Sequence, residues 1–571
     1  MMHRLRNLTN NQLLFALTTS ALVAFPMVAG AVVIPDTARP ETIQRQLQVD
    51  PQRPELSRTP IVSIQDQDSG KELKGKIAFT LRSVRFEGSS NLDSNELIQF
   101  YKDKLGTNVT LSELNKVAAN VTSFYRNQGF ILTRAVIPPQ RIENGTVTIR
   151  IIEGFVSDVQ LKGEVGSSNS ILYSYAEKIK QAKPLDAATL ERYLLLMEDL
   201  PGVEARAVIQ PSSTTPGASQ VIVNIKRNQF EGSTVVLNNR GTRYLGPVQA
   251  SGVLAVNNLM QQDEQTSLRV INSIFYPDEL KYFGARHEHA VGSYGTKIIL
   301  DGEFVATKPG YALEAFDVTG ENYKLEASVS HPILRSRQSN WFVNSDFYMQ
   351  RVNLSSFKTN LYQDHVRVLT VGSAYDFIDP LNAVNRIEGG ASKGFSWDTD
   401  NNGLAHSRAN GESSFWRFNA NATRIQPITG PWSASVSVEG QYSLDPLYAA
   451  EEYALGGQNF GSAFDPAEIS GDSAIAGRVE LQYNGTSDYP YLPTYQPYAF
   501  YDIGQVWNRD IIGLTEAKKA SLASLGVGAR FNMANNLTGS MEYAVPLTRS
   551  VAANSGDGDE PRFFFNLQYR Y

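Results

Sequence analysis

The 571-residue chain contains no cysteine. Disulfide staples, thiolate nucleophiles and cysteine–metal centres are therefore excluded. Histidine is scarce too: six residues, His3, His287, His289, His331, His365 and His406. A basic surplus is also lacking. Net charge is −6 and the pI is ≈ 5.7, so nothing marks nucleic acid as a partner. No apolar run of about 18 residues follows position 31, and mean hydropathy is −0.27. That excludes a helical membrane protein. It does not exclude a membrane barrel, whose strands alternate apolar and polar residues and average out. No phosphate-binding P-loop occurs, so no nucleotide drives work from this chain. GESSFW (Gly411 to Trp416) offers no nucleophile elbow. RHEHAV (Arg286 to Val291) places His287 and His289 on one strand face, a spacing that suits a metal, but no third ligand accompanies them. The reading is of a non-enzyme with no cofactor and no metal.

Glycine (43), phenylalanine (27) and tyrosine (26) are plentiful, as tight turns and aromatic girdles require. His3, Arg4 and Arg6 precede an apolar stretch, Leu13 to Ala31, that ends in Ala29-Gly30-Ala31. This pattern predicts a secretory signal peptide over 1–31. An exported chain without further apolar helices can span a membrane only as a closed barrel. Residues 32–77 are polar and carry Pro35, Pro40, Pro51, Pro54 and Pro60. PETIQRQLQV (Pro40 to Val49) starts on proline and continues with helix formers, so a short helix is expected there, followed by a flexible linker.

Two similar units follow. Over 78–154, FTLRSVRFEG alternates as a strand. Two helical patterns come next, one with Leu97, Phe100, Tyr101 and Leu105, the other with Leu114, Val117, Val121, Phe124 and Tyr125. LTRAVIP and TVTIRIIEG then alternate again. Over 155–228 the β-α-α-β-β order repeats, with VSDVQLKG, ILYSYAEKIKQ, LERYLLLMEDL, VEARAVIQP and QVIVNIKRN. Beyond residue 229 the texture changes to strand-like dyads divided by turn residues. In WSASVSVEGQYSL, for example, Trp432, Ala434, Val436 and Val438 alternate with Ser433, Ser435, Ser437 and Glu439. At about 20 residues per tilted strand and its connection, the segment predicts an antiparallel transmembrane barrel of about 16 strands. RFFFNLQYRY (Arg562 to Tyr571) sets Phe563, Phe565, Leu567, Tyr569 and Tyr571 on one face, opposite Asn566, Gln568 and Arg570. Such a strand is expected to close the barrel wall, with the aromatic face to lipid.

The helix, the linker, the paired α/β units and the barrel together resemble the two-partner secretion transporters (TpsB family, hemolysin secretion/activation type). The α/β units look like POTRA domains. Two motifs carry the resemblance further. YALGGQNFGSAFDP contains Gly456-Gly457 and then Gly461-Ser462-Ala463-Phe464, similar to a loop tetrad V-R-G-[FY]. Ser462 stands at its arginine position and Ala463 at its glycine position. Phe500-Tyr501-Asp502-Ile503-Gly504 matches F-x-D-x-G on a barrel strand.

The resemblance implies a Gram-negative outer-membrane barrel with periplasmic POTRA domains that exports one unfolded partner exoprotein (hemolysin, adhesin, contact-toxin or hemophore type). Outer-membrane lipids would surround it, and barrel-assembly machinery would insert it. Candidate client-binding edges are the strands with Leu132, Arg134 and Val136, and with Val203, Ala205 and Ala207. Glu41, Gln44 and Leu47 would belong to a removable plug helix. The loop arginine of the family pairs with the wall aspartate, which leaves open what pairs with Asp502 here. Alternatives are a barrel-assembly factor, which usually carries more POTRA copies, and a passive channel or porin, which would not explain the two α/β units.

Overall fold

The computed structural model describes residues 34–48, 62–64, 78–88 and 94–571, apart from 213–214, 216–217, 397–402, 510–517, 535, 552 and 555–557. The expected signal peptide and most of the linker lie outside the described residues.

The first α/β unit is a three-stranded sheet ordered Ser83–Glu87, Thr146–Ile152, Arg134–Val136. Its long helix, Leu111–Asn127, opens with a capping box in which the Thr110 hydroxyl accepts from Glu113 N and the Glu113 carboxylate accepts from Thr110 N. Leu114, Val117, Val121 and Tyr125 are buried on one face of it. The expected helix through Leu97 and Leu105 is not continuous. It consists of a short helix, Ser94–Leu97, and two 3₁₀ turns, Ile98–Phe100 and Lys102–Lys104. Leu97 and Phe100 are three apart, which stacks them in 3₁₀ geometry, and both reach the core. Leu105 has already left helical geometry, with extended backbone at the end of the second turn, and stays exposed.

The second unit follows its sequence pattern closely, with helices Ile171–Gln181 and Ala187–Glu198 and strands Phe155–Gly163, Val203–Pro211 and Ala218–Arg227. Its helix caps tie it to its neighbours. Asp263, in the first inner turn of the barrel, accepts from Ile171 N at 2.8 Å and pairs with Arg227. Asp199, at the end of the second helix, binds Arg335 bidentately at 2.7 and 2.8 Å. Arg192 donates to the carbonyls of Pro332 and Ile333. The unit is thus fastened to the inner turns of the barrel.

Sixteen antiparallel strands close the barrel, counting Ser473–Tyr483 and its short continuation Gly485–Thr486 as one. Arg562–Arg570 pairs with Leu537–Pro546 on one side and Thr234–Asn238 on the other, so no edge remains. Strand length varies from five residues at that seam to twenty in Thr359–Ile378. The dyad sorts side chains as expected. Tyr501, Ile503, Phe563 and Tyr569 are exposed toward lipid, whereas Phe500, Asp502 and Phe564 are buried in the lumen. Inward aromatics rest on glycines of the next strand. A Cβ on Gly526 would lie 2.4 Å from Phe500 Cζ, and one on Gly528 would lie 2.5 Å from Tyr498 Cζ.

Candidate functional site

The expected short helix forms, over Pro40–Gln48, and it sits inside the barrel. Glu41, Thr42, Ile43 and Gln44 are buried. Gln44 donates to Glu303 and accepts from Asn322 and Gln350, three side chains on the inner faces of neighbouring strands. Tyr362 OH donates to Glu41 Oε1 at 2.6 Å. Ile43, with Leu47 beside it, packs on Leu245, Ile271, Leu280, Tyr282 and Val305. The other Glu41 oxygen has no hydrogen-bond partner. Burial pushes this carboxyl up to about 7, against the pull of Arg39 and the Tyr362 hydroxyl.

The loop between Trp432–Ser443 and Ser473–Tyr483 folds back into the lumen. It contains a hairpin, Tyr453–Leu455 with Ile469–Gly471. Gly456 at φ +115° and Gly461 at φ +79° bracket the tip, and a Cβ on Gly456 would lie 2.1 Å from Asp465 O. Phe464, 1% exposed, anchors a cluster with Leu455, Phe460, Phe500, Leu522 and Phe564. The two sequence motifs meet there. Gly461 N, Ser462 N and Ser462 Oγ donate to Asp502 at 3.0, 3.2 and 2.8 Å. Gly504 is small because Leu455 Cδ1 would lie 2.7 Å from a Cβ there. Ala463 is fully buried, and its N–H donates to Ser524 Oγ at 3.3 Å.

Sequence reasoning left the partner of Asp502 open. It is Arg478, directly across the ladder, with Nη1 3.4 Å from Asp502 Oδ2. Ser524 Oγ donates to the other carboxylate oxygen at 2.7 Å. Arg478 also meets Glu480 at 2.8 Å and Glu542 at 3.2 Å, and its guanidinium lies 3.9 Å over the Phe500 ring. Its signal in AGRVELQYN was its parity: it falls on the lumenal side of the dyad, where an arginine needs carboxylates.

The candidate client edges differ from each other. Arg134–Val136 is an edge strand of the first unit, with Thr146–Ile152 central. Leu132 is not on that edge. It packs against the core of the second unit, beside Gly154. In the second unit the strand with Val203, Ala205 and Ala207 is already covered: Val62–Ile64 of the linker lies parallel to it, pairing Val62 with Ala207 and Ile64 with Ile209. Ala205 and Ala207 themselves point into the core. The short β-branched run VSI was the only sequence sign of this strand.

A vestibule of ≈ 1420 Å³ lies between Asp199 and Arg335 of the domain junction and lumenal polar residues such as Asn484, Gln496, Ser540 and Asn566. His287 and His289 do share a face, with rings 6.5 Å apart and nearly parallel. Among the described residues no group of three potential metal ligands forms.

Residues 79–154 match the POTRA domain, ShlB-type. Residues 217–531, more than half the chain, match the haemolysin secretion/activation protein ShlB/FhaC/HecB family. The Heme/hemopexin transporter protein HuxB of Haemophilus influenzae (strain 86-028NP) is 23% identical over 518 residues, covering 87% of this chain and 88% of that protein. The outer membrane transporter CdiB of Dickeya dadantii (strain 3937) is 23% identical over 486 residues, covering 81% and 83%. The solved structure of CdiB from Escherichia coli superposes with a TM-score of 0.71 at 19% identity, covering 92% of this chain and 96% of that one. The chain thus belongs to the haemolysin secretion/activation family, the outer-membrane β-barrel transporters of two-partner secretion, with its POTRA domains in the periplasm.

Proposed function

We propose that this transporter exports one dedicated, unfolded exoprotein, recognised by strand addition to its POTRA sheets and passed through the barrel once the helix Pro40–Gln48 has left the lumen. The observation that carries this reading is the arrangement of that helix. It is bonded to the wall through a few amide and carboxyl groups, and its chain continues to a linker strand lying on a POTRA edge. A client strand pairing with Val203–Pro211 must take the place of Val62–Ile64, because one edge accepts one strand. Client arrival at that edge and release of the plug are then two ends of one event. The three-residue edge Arg134–Val136 offers a second place for pairing. Folding of the client outside makes export irreversible without nucleotide hydrolysis. Outer-membrane lipids contact the apolar outer face, and barrel-assembly machinery inserts the closed wall.

The test compares secreted proteins of cells with and without this chain. A large exoprotein should reach the medium only when the chain is present. Deleting 40–48 should raise single-channel conductance in planar bilayers. An unchanged secretome would remove the export reading, and unchanged conductance would remove the plug.

A further inference from the structure

Asp502 is fully buried in the barrel wall, and each group that the tip of the fold-back loop offers it is neutral: two backbone N–H groups and one hydroxyl. A buried carboxylate without a cation is costly, so the counter-charge must come from somewhere. It comes from the wall. Arg478, Arg240 and Arg530 join Asp502, Glu480 and Glu542 in one connected set of three guanidiniums and three carboxylates. Aromatic faces stiffen it, with Arg240 4.1 Å over Phe564 and Arg530 3.9 Å over Tyr498. The loop's own charged side chains pair away from the tip, Asp465 with Arg562 at 2.8 Å and Asp472 with Arg408 at 2.6 Å, while at the tip the wall supplies the charge: Arg478 donates to Ser462 Oγ, Arg240 to Ser462 O at 3.3 Å and Arg562 to Ala463 O at 3.2 Å.

We infer that Arg478 is the positioning residue for Asp502, and that the tip around Gly461-Ser462-Ala463 is a neutral seat which can lift while the wall keeps its charges paired. Two consequences follow. Adding a cation at the tip puts a second guanidinium beside Arg478 on one carboxylate, and should loosen the tip. Moving the cation from the wall to the tip should fasten it.

The experiment is hydrogen exchange of the 456–464 peptide in the purified full-length transporter, without client, so it is independent of the export reading. Heat-dependent gel mobility confirms that each barrel is closed. Ser462→Arg should exchange faster than wild type, and Ser462→Arg with Arg478→Ser should exchange about tenfold slower than Ser462→Arg alone. Arg478→Met should speed exchange about tenfold, and Asp502→Asn added to it should recover most of the protection. If Arg478→Met leaves no closed barrel, recovery of closure by the added Asp502→Asn is the supporting result and continued failure is the opposing one. Protection of the tip by Ser462→Arg with Arg478 intact, or independent effects of Arg478→Met and Asp502→Asn, would overturn the inference.

Discussion

The plug helix and the fold-back loop share one lumen but are held by different chemistry. The plug is nine residues long and rests on amide, carboxyl and phenol groups, with Ile43 and Leu47 as its apolar purchase. The loop has a hairpin of its own, three glycines in left-handed backbone, a fully buried phenylalanine and ion pairs to the wall. A segment bound by a few exchangeable polar contacts can leave and be replaced by water. A segment whose aromatic anchor completes a packed cluster leaves a hole. On the proposed function, the difference separates a gate from a keystone.

The largest effect should come from attacking the keystone. Phe464→Ala removes an aromatic from a closed cluster and should cost about 3–5 kcal/mol. The check is the fraction of heat-modifiable, closed barrel in outer membranes, which should drop with secretion. Gly456→Ala comes next. It combines left-handed backbone with a Cβ 2.1 Å from Asp465 O, and should destabilise the loop by about 1–3 kcal/mol, seen as faster proteolysis of the loop in intact cells. If either variant left the loop in place, the comparison would fail on that side.

The plug should respond more mildly and without loss of the barrel. Gln44→Ala removes bonds to Glu303, Asn322 and Gln350. It should weaken docking by about 1–3 kcal/mol, raising open-channel probability in bilayers while leaving closure unchanged. The smallest effect is that of pH. Burial raises the Glu41 carboxyl from 4.5 when free to about 7 when docked. Docking therefore weakens as pH rises between those values and is level above them. Open probability should climb from pH 5 to pH 7, and Glu41→Gln should flatten the climb. A flat wild-type profile would remove Glu41 as the titrating group.

Much of this architecture was legible because two periods differ. The 3.6-residue pattern marked Leu111–Asn127 and both helices of the second unit, and the dyad marked most barrel strands. Strands were lost where the dyad is diluted. Val384–Gly394 carries Gly389, Gly390 and Gly394, and Thr234–Asn238 is only five residues long. The motif pair Gly461–Phe464 and Phe500–Gly504 could be read from sequence, but its ionic partner could not, because cross-strand register decides that Arg478 faces Asp502. The covered POTRA edge was invisible for the same reason: three residues, Val62–Ile64, pair with a strand some 145 positions away.

On the proposed function, client export requires the plug to leave. A cysteine-free chain makes this directly testable, since any introduced pair is unique. Gln44→Cys with Asn322→Cys joins the plug to the wall at side chains that touch. With the pair oxidised, the exoprotein should accumulate inside the cell and return to the medium when reductant is added. Undiminished secretion through the oxidised, cross-linked transporter would contradict the account.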